Sequence, residues 1–320
     1  MTDNYTGPAS DARADLDGAT GTAVLVLDVG ASWIKGALVG PDDRRLREFR
    51  QPTGREAGPD LVLQHVADVA AQMAAERGSA PLSAAGVAVC GAVDPAGRVT
   101  AVNLGWSAAP VRAYIEERLG IPVVVVNDAH AGALGEGRSG AARGRQDYLY
   151  VSLGTGVGGA IVQSGQVVAG SHGQAGELGH VRVDLDGRQC TCGARGCLQT
   201  IVSAMALEAR WYELYEERAT AHKILDLVMS DHAGALKVWR ECVGALATGL
   251  ITAMTLLDPA TIVVGGGLAR AGDKLLVPLR EEIAKQARPF HAVADLRLAA
   301  LDDWSACAGA ATMARQLSPT

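Results

Sequence analysis

This sequence has few aromatic residues, no excess of positive charge and no long apolar run. Phe, Trp and Tyr make up only 4% of the 320 residues, which argues against a stacking surface for single-stranded nucleic acid. The 29 Lys and Arg are outnumbered by 35 Asp and Glu, so the net charge of −6 offers no basic footprint for DNA or RNA. No apolar run approaches the roughly 18 residues of a membrane span. We therefore expect neither nucleic acid nor a membrane as a partner.

The N-terminus lacks the features of a secretory signal, since it has neither a basic start nor an apolar stretch. Residues 1–21 are rich in Asp, Ala, Thr and Gly, which predicts a disordered leader. Six cysteines are present, and the three between positions 190 and 197 are more typical of a metal site than of disulfides in a reducing compartment. The sequence thus predicts a soluble, cytoplasmic, globular protein.

Glycine, by contrast, is abundant, with 39 residues among 320 against an average usage of about 7%. Its residues cluster at the ends of apolar strands, where the backbone turns sharply or approaches a ligand closely. Segments 27–39 and 151–162 both follow the pattern strand, glycine turn, strand, and segments 84–94 and 259–269 are both strands that end in glycine. A repeat of this kind predicts two similar α/β domains that face one another across a cleft. Chance similarity between apolar strands is the alternative.

Hydrophobic periodicity gives a coarse map of the elements. Helices are predicted over 61–77, 111–120, from Asn127 or Asp128 to about 140, over most of 201–258, and over 304–317. The predicted smaller, N-terminal domain comprises residues 22–126 and 303–320, and the larger domain comprises residues 127–302.

Two glycine-rich turns, 28–32 and 153–159, each follow a predicted strand. Phosphate oxygens need several backbone N–H groups at close range, and glycine permits that approach. Neither turn is a P-loop, and 153–159 is a poor dinucleotide fingerprint because a strand follows it. Either turn alone is equally well explained as a tight hairpin. Two turns in equivalent places of a repeat favour one phosphate chain held by both, with Asp28 positioning Mg²⁺ through water and Ser32 and Lys35 reaching phosphate.

Asn127 and Asp128 stand where a four-valine strand meets a helix. A carboxylate there can accept the proton of a substrate hydroxyl that attacks phosphorus. Asp also commonly caps a helix N-terminus, and at this point the two interpretations are balanced.

The strongest chemical signal is His180 followed by the CxCxxxxC segment 190–197. Three thiolates and an imidazole form a closed tetrahedral set for zinc, with no open position for a reactive water. We therefore expect a structural zinc that holds a loop and one face of His180, leaving the other ring nitrogen for a substrate. A disulfide with one spare thiol is the alternative.

Polar groups suited to a polyol lie nearby in the sequence. Glu177 precedes His180 by three residues, and carboxylate, amide and imidazole groups together can bind sugar hydroxyls. Asn103 is a further candidate, although a lone Asn in a loop is more often a turn residue.

These segments resemble the ROK family of sugar kinases and repressors, within the actin/hexokinase-like superfamily. The resemblance runs from about Val24 to the C-terminus. The combination of ELGH with CxCGxxGC is highly specific, whereas the glycine turns are not. The segments that carry the resemblance are 28–35 (DVGASWIK), 91–94 (GAVD), 103–106 (NLGW), 127–128 (ND), 153–159 (LGTGVGG), 177–180 (ELGH), 190–197 (CTCGARGC) and 263–267 (VVGGG).

The resemblance implies two similar actin/ribonuclease H-like α/β domains around a central cleft. It also implies transfer of the γ-phosphoryl group of ATP, with Mg²⁺, to a C6-type hydroxyl of a hexose, with Asp128 as the general base. The implied sugar ligands are Asn103, Asn127, Asp128, Glu177 and His180. The implied structural zinc ligands are His180, Cys190, Cys192 and Cys197. The implied contacts of the ATP phosphates or magnesium are Asp28, Gly30, Ser32, Lys35, Gly154, Thr155 and Gly156, with Gly265 and Gly266 near the adenosine. Family members usually form dimers, which implies a homodimer here.

The sequence departs from the family at a sugar-contacting position. The zinc loop normally continues GCLE, with that Glu near C1 and C2 of the sugar, but here the residue is Gln199. Gln keeps the length, loses the charge and can donate a hydrogen bond, so the acceptor is either glucose or an analogue such as an amino sugar, an N-acylhexosamine or a cyclitol. Cys90 replaces a frequent Pro, His130 a frequent Asn, and Ser32 a Thr.

Two alternatives remain at this stage. The family also contains sugar-sensing repressors, but these carry an N-terminal helix-turn-helix domain that the polar leader is too short to hold. Polyphosphate replaces ATP as donor in some relatives, although no extended basic groove is evident in the sequence.

Overall fold

The computed structural model describes residues 21–78 and 80–317. The predicted leader, residues 1–21, lies outside the described residues except for Gly21. Within them the chain divides into two compact units, residues 21–128 with 310–317 and residues 129–309. These are called the first and second unit below.

The boundaries between the units differ slightly from those expected. Asn127 belongs to the first unit because its side-chain amide donates a 3.0 Å hydrogen bond to the carbonyl of Gly91. Ser305 belongs to the second unit because its hydroxyl donates at 2.7 Å to the buried carboxylate of Glu136. The divisions therefore fall after residues 128 and 309 rather than after 126 and 302.

The first unit is built on a five-stranded sheet whose central strand, β1 (Ala23–Val29), is buried along its whole length. The other strands are β2 (Trp33–Val39), β3 (Arg45–Pro52), β4 (Leu82–Val89) and β8 (Val123–Asn127), in the order β3-β2-β1-β4-β8. The first three are antiparallel, whereas β1, β4 and β8 are parallel. The helices are α1 (Pro59–Ala75) and α2 (Val111–Leu119). A small antiparallel sheet is formed by β5 (Ala92–Val93), β6 (Val99–Ala101) and β7 (Trp106–Ala109).

The second unit repeats the large sheet. Its strands are β9 (Tyr148–Leu153), β10 (Val157–Gln163), β11 (Gln166–Val167), β12 (Thr261–Gly265) and β13 (Asp295–Leu298), in the order β11-β10-β9-β12-β13. The helices are α3 (Asp128–Ser139, which begins at the last residue of the first unit), α4 (Gln199–Val202), α5 (Ala204–Tyr215), α6 (Ala221–Met229), α7 (Ala233–Leu257), α8 (Asp273–Gln286) and α9 (Ser305–Leu317, which ends in the first unit).

The internal repeat predicted from the sequence is thus confirmed. In each unit an antiparallel hairpin leads to a third antiparallel strand on one side and two parallel strands on the other. Segments 27–39 and 151–162 become the hairpins, and 84–94 and 259–269 contain the equivalent strands β4 and β12. Similarity of topology in addition to sequence removes chance as the explanation.

One described helix, α7, is long and apolar enough by length and composition to cross a membrane. Its Trp239 and Leu246 are fully buried within the second unit. The indole nitrogen of Trp239 donates a 2.8 Å hydrogen bond to the carbonyl of Lys274, where α8 begins. The apolar surface of α7 is therefore used for the core of this unit.

Candidate functional site

The carboxyl ends of three parallel strands meet at one edge of the first sheet. Val29 at the end of β1 pairs with Val89 at the end of β4, which in turn pairs with Asn127 at the end of β8. Open α/β sheets bind ligands at this edge, because the loops that follow the strands carry side chains there. The register brings Asp28, Cys90 and Asp128 to the same edge.

Electrostatics show how close these groups are. The pKa of the Cys90 thiol is raised far above its usual range by burial and by the negative charges of Asp128 and Asp28. This agrees with the register, which places both carboxylates at the same sheet edge as the thiol. Asp128 is the first residue of α3, where the helix dipole favours its negative charge.

The first glycine turn connects β1 to β2. The backbone N–H of Gly30 donates to the carbonyl of Trp33 at 2.9 Å, which closes the turn. Thr53, which is buried and was not singled out from the sequence, donates from its hydroxyl to the carbonyl of Gly30 at 2.7 Å and from its N–H to that of Ser32 at 3.0 Å. Only tertiary pairing of β2 with β3 brings Thr53 here, so no local signal could have identified it.

Asp28 and Lys35 occupy directly paired positions on β1 and β2. Their side chains form a 3.0 Å ion pair that is largely buried, with 13% of Asp28 and 23% of Lys35 exposed. The lysine predicted to reach phosphate is thus held by the carboxylate predicted to position magnesium. A carboxylate with one cation partner, at a mostly buried edge that solvent still reaches, has the oxygen chemistry that Mg²⁺ requires.

The second glycine turn connects β9 to β10 and is closed by a 2.9 Å hydrogen bond from the N–H of Gly154 to the carbonyl of Gly156. The carbonyl of Gly154 accepts a 2.8 Å bond from the N–H of Ala204, the first residue of α5. A Cβ atom on Gly154 would meet no described atom within 4 Å. Neither packing nor a positive φ demands glycine there, so the turn has room for a ligand against its backbone.

Close packing accounts for the glycines at positions 265 and 266, at the end of β12. A Cβ on Gly266, whose φ is +85°, would lie 2.6 Å from the backbone nitrogen of Leu153, and one on Gly265 would lie 2.9 Å from the Tyr150 hydroxyl. These glycines let β12 and the loop after it approach β9 closely.

Backbone packing also positions the segment that carries Glu177 and His180. A Cβ on Gly159 of β10 would overlap the carbonyl oxygen of Gly176, and one on Gly179 would overlap that of Val157. The segment therefore lies directly against β10 because both chains carry glycine at the contact. Glu177 is exposed, with Oε2 4.0 Å from Nε2 of His180.

His130 helps to hold the same segment. Its buried ring lies on α3, and Nε2 makes a 3.2 Å hydrogen bond with the carbonyl of Ala175. The sequence singled out this residue only as a departure from the family pattern.

The four predicted zinc ligands lie together. A ring nitrogen of His180 and the Sγ atoms of Cys190, Cys192 and Cys197 all lie within 4.8 Å of one another. Nδ1 is 3.7 Å from Sγ of Cys190, and the Sγ atoms of Cys192 and Cys197 are 3.6 Å apart. Tetrahedral zinc with bonds of about 2.3 Å to sulfur and 2.0–2.1 Å to nitrogen separates its ligands by about 3.5–3.8 Å. The donor set therefore fits a zinc ion.

The loop closes around this cluster because of two glycines. Gly193 and Gly196 both have positive φ, +92° and +73°, and the N–H of Gly193 donates to the carbonyl of Cys190 at 3.0 Å. All six cysteines lie within the described residues and none of them forms a disulfide, so the cluster contains none. Nε2, the other ring nitrogen of His180, lies 4.0 Å from Oε2 of Glu177.

Hydrogen bonds favour ionisation of one of the thiols. Burial opposes ionisation of Cys190, but donors on Cys192 and the side-chain amide of Gln199 outweigh it and lower the pKa of Cys190 to about 6. Burial and the neighbouring thiols raise the pKa of Cys197 to about 12. The cluster therefore stabilises one thiolate, the form in which cysteine binds a metal ion.

Gln199 itself begins α4, immediately after the zinc loop. Its amide nitrogen lies 3.3 Å from Sγ of Cys190 and 3.3 Å from Oγ1 of Thr191. The sequence predicted a sugar contact for this side chain and gave no sign of these bonds.

Asn103, the remaining candidate, is exposed in a short 3-10 turn, Val102–Leu104, of the first unit. Gly105 ends this turn with a φ of +68°. The placement agrees with the turn interpretation of the residue and leaves its side chain accessible.

Comparison with known proteins now identifies the chain. The model of the ROK family matches residues 24–317. The chain belongs to the ROK family. It is 31% identical over 310 residues to a glucokinase from Halalkalibacterium halodurans, covering 91% of this chain and 94% of that enzyme. It is 30% identical over 246 residues to a kanosamine kinase from Amycolatopsis mediterranei, covering 75% and 79%.

Regulators are among its ROK relatives as well. A xylose repressor from Bacillus spizizenii is 25% identical over 266 residues, which cover 82% of this chain and 69% of the repressor. Among solved structures, a ROK glucokinase from Streptomyces griseus in complex with glucose and AMPPNP matches with a TM-score of 0.84 and 29% identity, covering 92% of this chain and 99% of that one. The predicted actin-like α/β fold is confirmed, and the homologous sugar kinases support the same general activity for this chain.

Proposed function

We propose that the protein is an ATP- and Mg²⁺-dependent kinase that phosphorylates a primary, C6-type hydroxyl of a hexose. The observation that carries the proposal is Asp128 at the carboxyl end of β8, beside Asn127 and near Asp28 at the same sheet edge. Sugar kinases among the relatives, at about 30% identity, support it.

In this proposal Asp128 is the general base. Its carboxylate accepts the hydroxyl proton while the hydroxyl oxygen forms a bond to the γ-phosphorus and the bond from that phosphorus to the β-phosphate bridge oxygen breaks, releasing ADP. The reaction depends mostly on positioning and charge neutralisation. Asn127, anchored to Gly91, is placed to orient a hydroxyl next to the base. Magnesium, when bound, neutralises phosphate charge, and Asp28 would hold it through water.

Further roles are proposed in each unit. In the first unit the Gly30–Ser32 turn and Lys35 contact phosphate, and Asn103 contacts the sugar. In the second unit the Gly154–Gly156 turn contacts phosphate through its backbone, and Gly265 and Gly266 lie near the adenosine. Glu177 and His180 bind sugar hydroxyls, with His180 also a zinc ligand beside Cys190, Cys192 and Cys197.

The acceptor is glucose or a close analogue. Two observations favour an amino sugar as the second candidate: the neutral Gln199 in place of a carboxylate, and the kanosamine kinase among the relatives. N-acylhexosamines and cyclitols are further candidate acceptors to be tested beside glucose and amino sugars. We further propose that the protein is cytoplasmic and that it forms a homodimer. Light scattering on a size-exclusion column tests the oligomeric state directly.

The deciding experiment is an ADP-release assay with ATP and Mg²⁺ across glucose, mannose, amino-glucoses, N-acetylhexosamines and cyclitols. We expect strong turnover of one acceptor and a loss of about 10²- to 10⁴-fold in kcat for Asp128→Asn, the range typical of a general base. Asp60→Asn, an exposed change at the start of α1, is the matched control and should retain activity.

Sugar binding, measured by calorimetry, separates the remaining possibilities. Binding without turnover of any acceptor would favour a sugar-sensing regulator over a kinase. Turnover with polyphosphate in place of ATP would reassign the donor.

A further inference from the structure

Thr53 lies against the first glycine turn, the Gly30–Ser32 segment that is proposed above to contact phosphate. It directly follows Pro52, the last residue of β3, which pairs with Trp33 at the start of β2. Only 1% of Thr53 is exposed. The pairing of β2 with β3 therefore places a buried hydroxyl behind the turn.

Two carbonyl groups of the turn accept hydrogen bonds from this one residue. The hydroxyl of Thr53 donates to the carbonyl of Gly30 at 2.7 Å, and its N–H donates to the carbonyl of Ser32 at 3.0 Å. The bond that closes the hairpin uses the N–H of Gly30 and the carbonyl of Trp33, so it leaves both of these oxygens to Thr53. The orientation of two peptide groups of the turn thus depends on Thr53.

Peptide geometry then fixes the direction of an N–H group. A trans peptide is planar, with its C=O and its N–H on opposite sides. The carbonyl of Gly30 belongs to the peptide group that carries the N–H of Ala31. Because the oxygen is directed at the buried hydroxyl of Thr53, the N–H of Ala31 is directed away from Thr53.

The N–H groups at the tip of the turn are available to a ligand. In the part of the chain that the structure describes, neither the N–H of Ala31 nor that of Ser32 has an acceptor. Ala31 is 7% exposed, and an N–H in such a position normally has a partner. Successive backbone N–H groups of this kind form binding sites for anions. If the Gly30 peptide group were rotated, its carbonyl oxygen would face the anion instead and would repel it.

We propose that Thr53 is a positioning residue for phosphoryl transfer, which holds the carbonyl of Gly30 and so keeps the N–H of Ala31 directed at the phosphate chain of the nucleotide. This inference rests on the proposed contact between the Gly30–Ser32 turn and phosphate. Thr53 is buried behind the turn, so it acts through the turn and not by contact with the nucleotide.

The test compares Thr53→Val and Thr53→Ser with the wild-type protein. Valine keeps the branched shape and removes only the hydroxyl, whereas serine keeps the hydroxyl. The matched control is Thr252→Val, the same exchange on α7, where the hydroxyl of Thr252 donates to the carbonyl of Thr248 at 3.1 Å. Urea unfolding of each variant is measured first, so that activity and binding are compared under conditions in which every protein is folded.

We expect kcat/KM for ATP to fall about 10-fold in Thr53→Val, less than the roughly 10²-fold that a 1 Å misplacement can cost. The affinity for AMPPNP with Mg²⁺ should fall in the same variant, because the turn contacts the bound phosphates. The affinity for the acceptor sugar, measured by calorimetry, should not change. Thr53→Ser should retain most of the activity and of the nucleotide affinity, and Thr252→Val should match the wild type.

Either of two results with the variants would overturn the inference. If Thr53→Val is less stable but its folded form keeps kcat/KM for ATP and the affinity for AMPPNP, Thr53 has only a structural role. If Thr53→Ser loses as much activity as Thr53→Val, the hydroxyl is not the group that orients the turn.

The wild-type protein separates this inference from the kinase proposal. If it binds AMPPNP but phosphorylates no acceptor, the kinase proposal is wrong, and the AMPPNP affinities of the variants still decide the role of Thr53. If it binds no nucleotide, the turn does not contact phosphate and the inference is overturned.

Discussion

The carboxylate of Glu136 accepts a 2.7 Å hydrogen bond from the hydroxyl of Ser305, 169 residues further along the chain. Glu136 is fully buried on α3, and its two oxygens also accept hydrogen bonds from the backbone N–H groups of Ala141, Ala300 and Leu301 at 2.7–3.0 Å. A single buried carboxylate thus accepts hydrogen bonds from four donors. It joins the end of α3 to the start of α9 within the second unit.

We expect Glu136→Gln to destabilise the protein. The amide NH₂ group would face donors where the fully buried carboxylate now accepts, which leaves part-buried N–H groups and the NH₂ group itself unpaired at a cost of about 1–3 kcal/mol. Urea unfolding measures the change. Glu217→Gln, at an exposed position, is the control and should stay within about 0.5 kcal/mol of the wild type. An equally small effect at Glu136 would contradict the role assigned to it.

Lys35 gives a second prediction, on activity. Lys35→Met should lower kcat/KM for ATP by about 10-fold or more, since one well-placed charge-assisted bond contributes about 1.5–3 kcal/mol. Stability should fall as well, because Lys35→Met removes the cation partner of the largely buried Asp28 carboxylate, a loss that costs up to about 3–5 kcal/mol when a charge is left buried without its counter-charge. Steady-state kinetics and thermal unfolding measure the two effects. Lys223→Met, an exposed change on α6, should alter neither. An unchanged kcat/KM for ATP would contradict the proposed phosphate contact and would mean that Lys35 has only a structural role.

Removal of a zinc ligand gives a third prediction. Cys197→Ser should abolish zinc binding and disorder the loop after His180, because zinc-site folding is coupled to binding of the metal. Metal analysis should show the loss of zinc, and calorimetric titration should show weaker binding of the acceptor sugar. Cys242→Ala removes a buried thiol outside the cluster and should retain zinc. Full sugar binding by a zinc-free Cys197→Ser protein would show that the loop is ordered without the metal.

Tyr148 gives a prediction on pH. Burial and the charge of Glu136 raise the pKa of Tyr148 from 10.0 to about 12. Between these values the unfolded chain loses the phenolic proton and the folded chain keeps it, so stability falls as the pH rises. The stability difference between the wild type and Tyr148→Phe should therefore shrink by up to about 1.4 kcal/mol per pH unit above pH 10.

Urea titrations of both proteins from pH 8 to 11.5 measure this slope. Below pH 9 the difference should be constant and reflect mainly the 2.8 Å hydrogen bond from the Tyr148 hydroxyl to the carbonyl of Ala133. A difference that stays constant up to pH 11.5 would mean that Tyr148 ionises as readily in the folded chain as in the unfolded one.

Much of the fold is predictable from local sequence. The apolar strands β1, β4, β8, β9 and β12 are buried almost throughout, so their hydrophobic runs identify them. The glycine turns were predictable because they stand at the ends of these runs, and the repeat was predictable because the same pattern of run and glycine occurs twice. Other elements have no hydrophobic run to identify them. Strand β3 buries only one of its eight residues, Leu46, and its sequence is rich in charged residues. The small sheet β5–β7, strand β13 and helix α8 were also not predicted.

Some features of the candidate site and its surroundings were likewise predictable from the sequence, and others were not. The clustering of the four candidate zinc ligands was predictable because their spacing in the chain is typical of a zinc site. Thr53, Glu136 and the sulfur contact of Gln199 were not, since each depends on a pairing that the fold alone brings about. Roles that depend on contacts distant in sequence need the folded chain.

The duplicated sheet has a consequence for how the enzyme can change. At equivalent strand ends the first unit has Cys90, whereas the second has Gly265, where a Cβ would lie 2.9 Å from the Tyr150 hydroxyl. The glycines that follow, Gly91 and Gly266, both have positive φ and no space for a side chain, so the two copies differ at a single position: the first carries a side chain there and the second has no room for one. Laboratory selection for a new acceptor should accumulate its substitutions around the end of β4 and leave the end of β12 untouched.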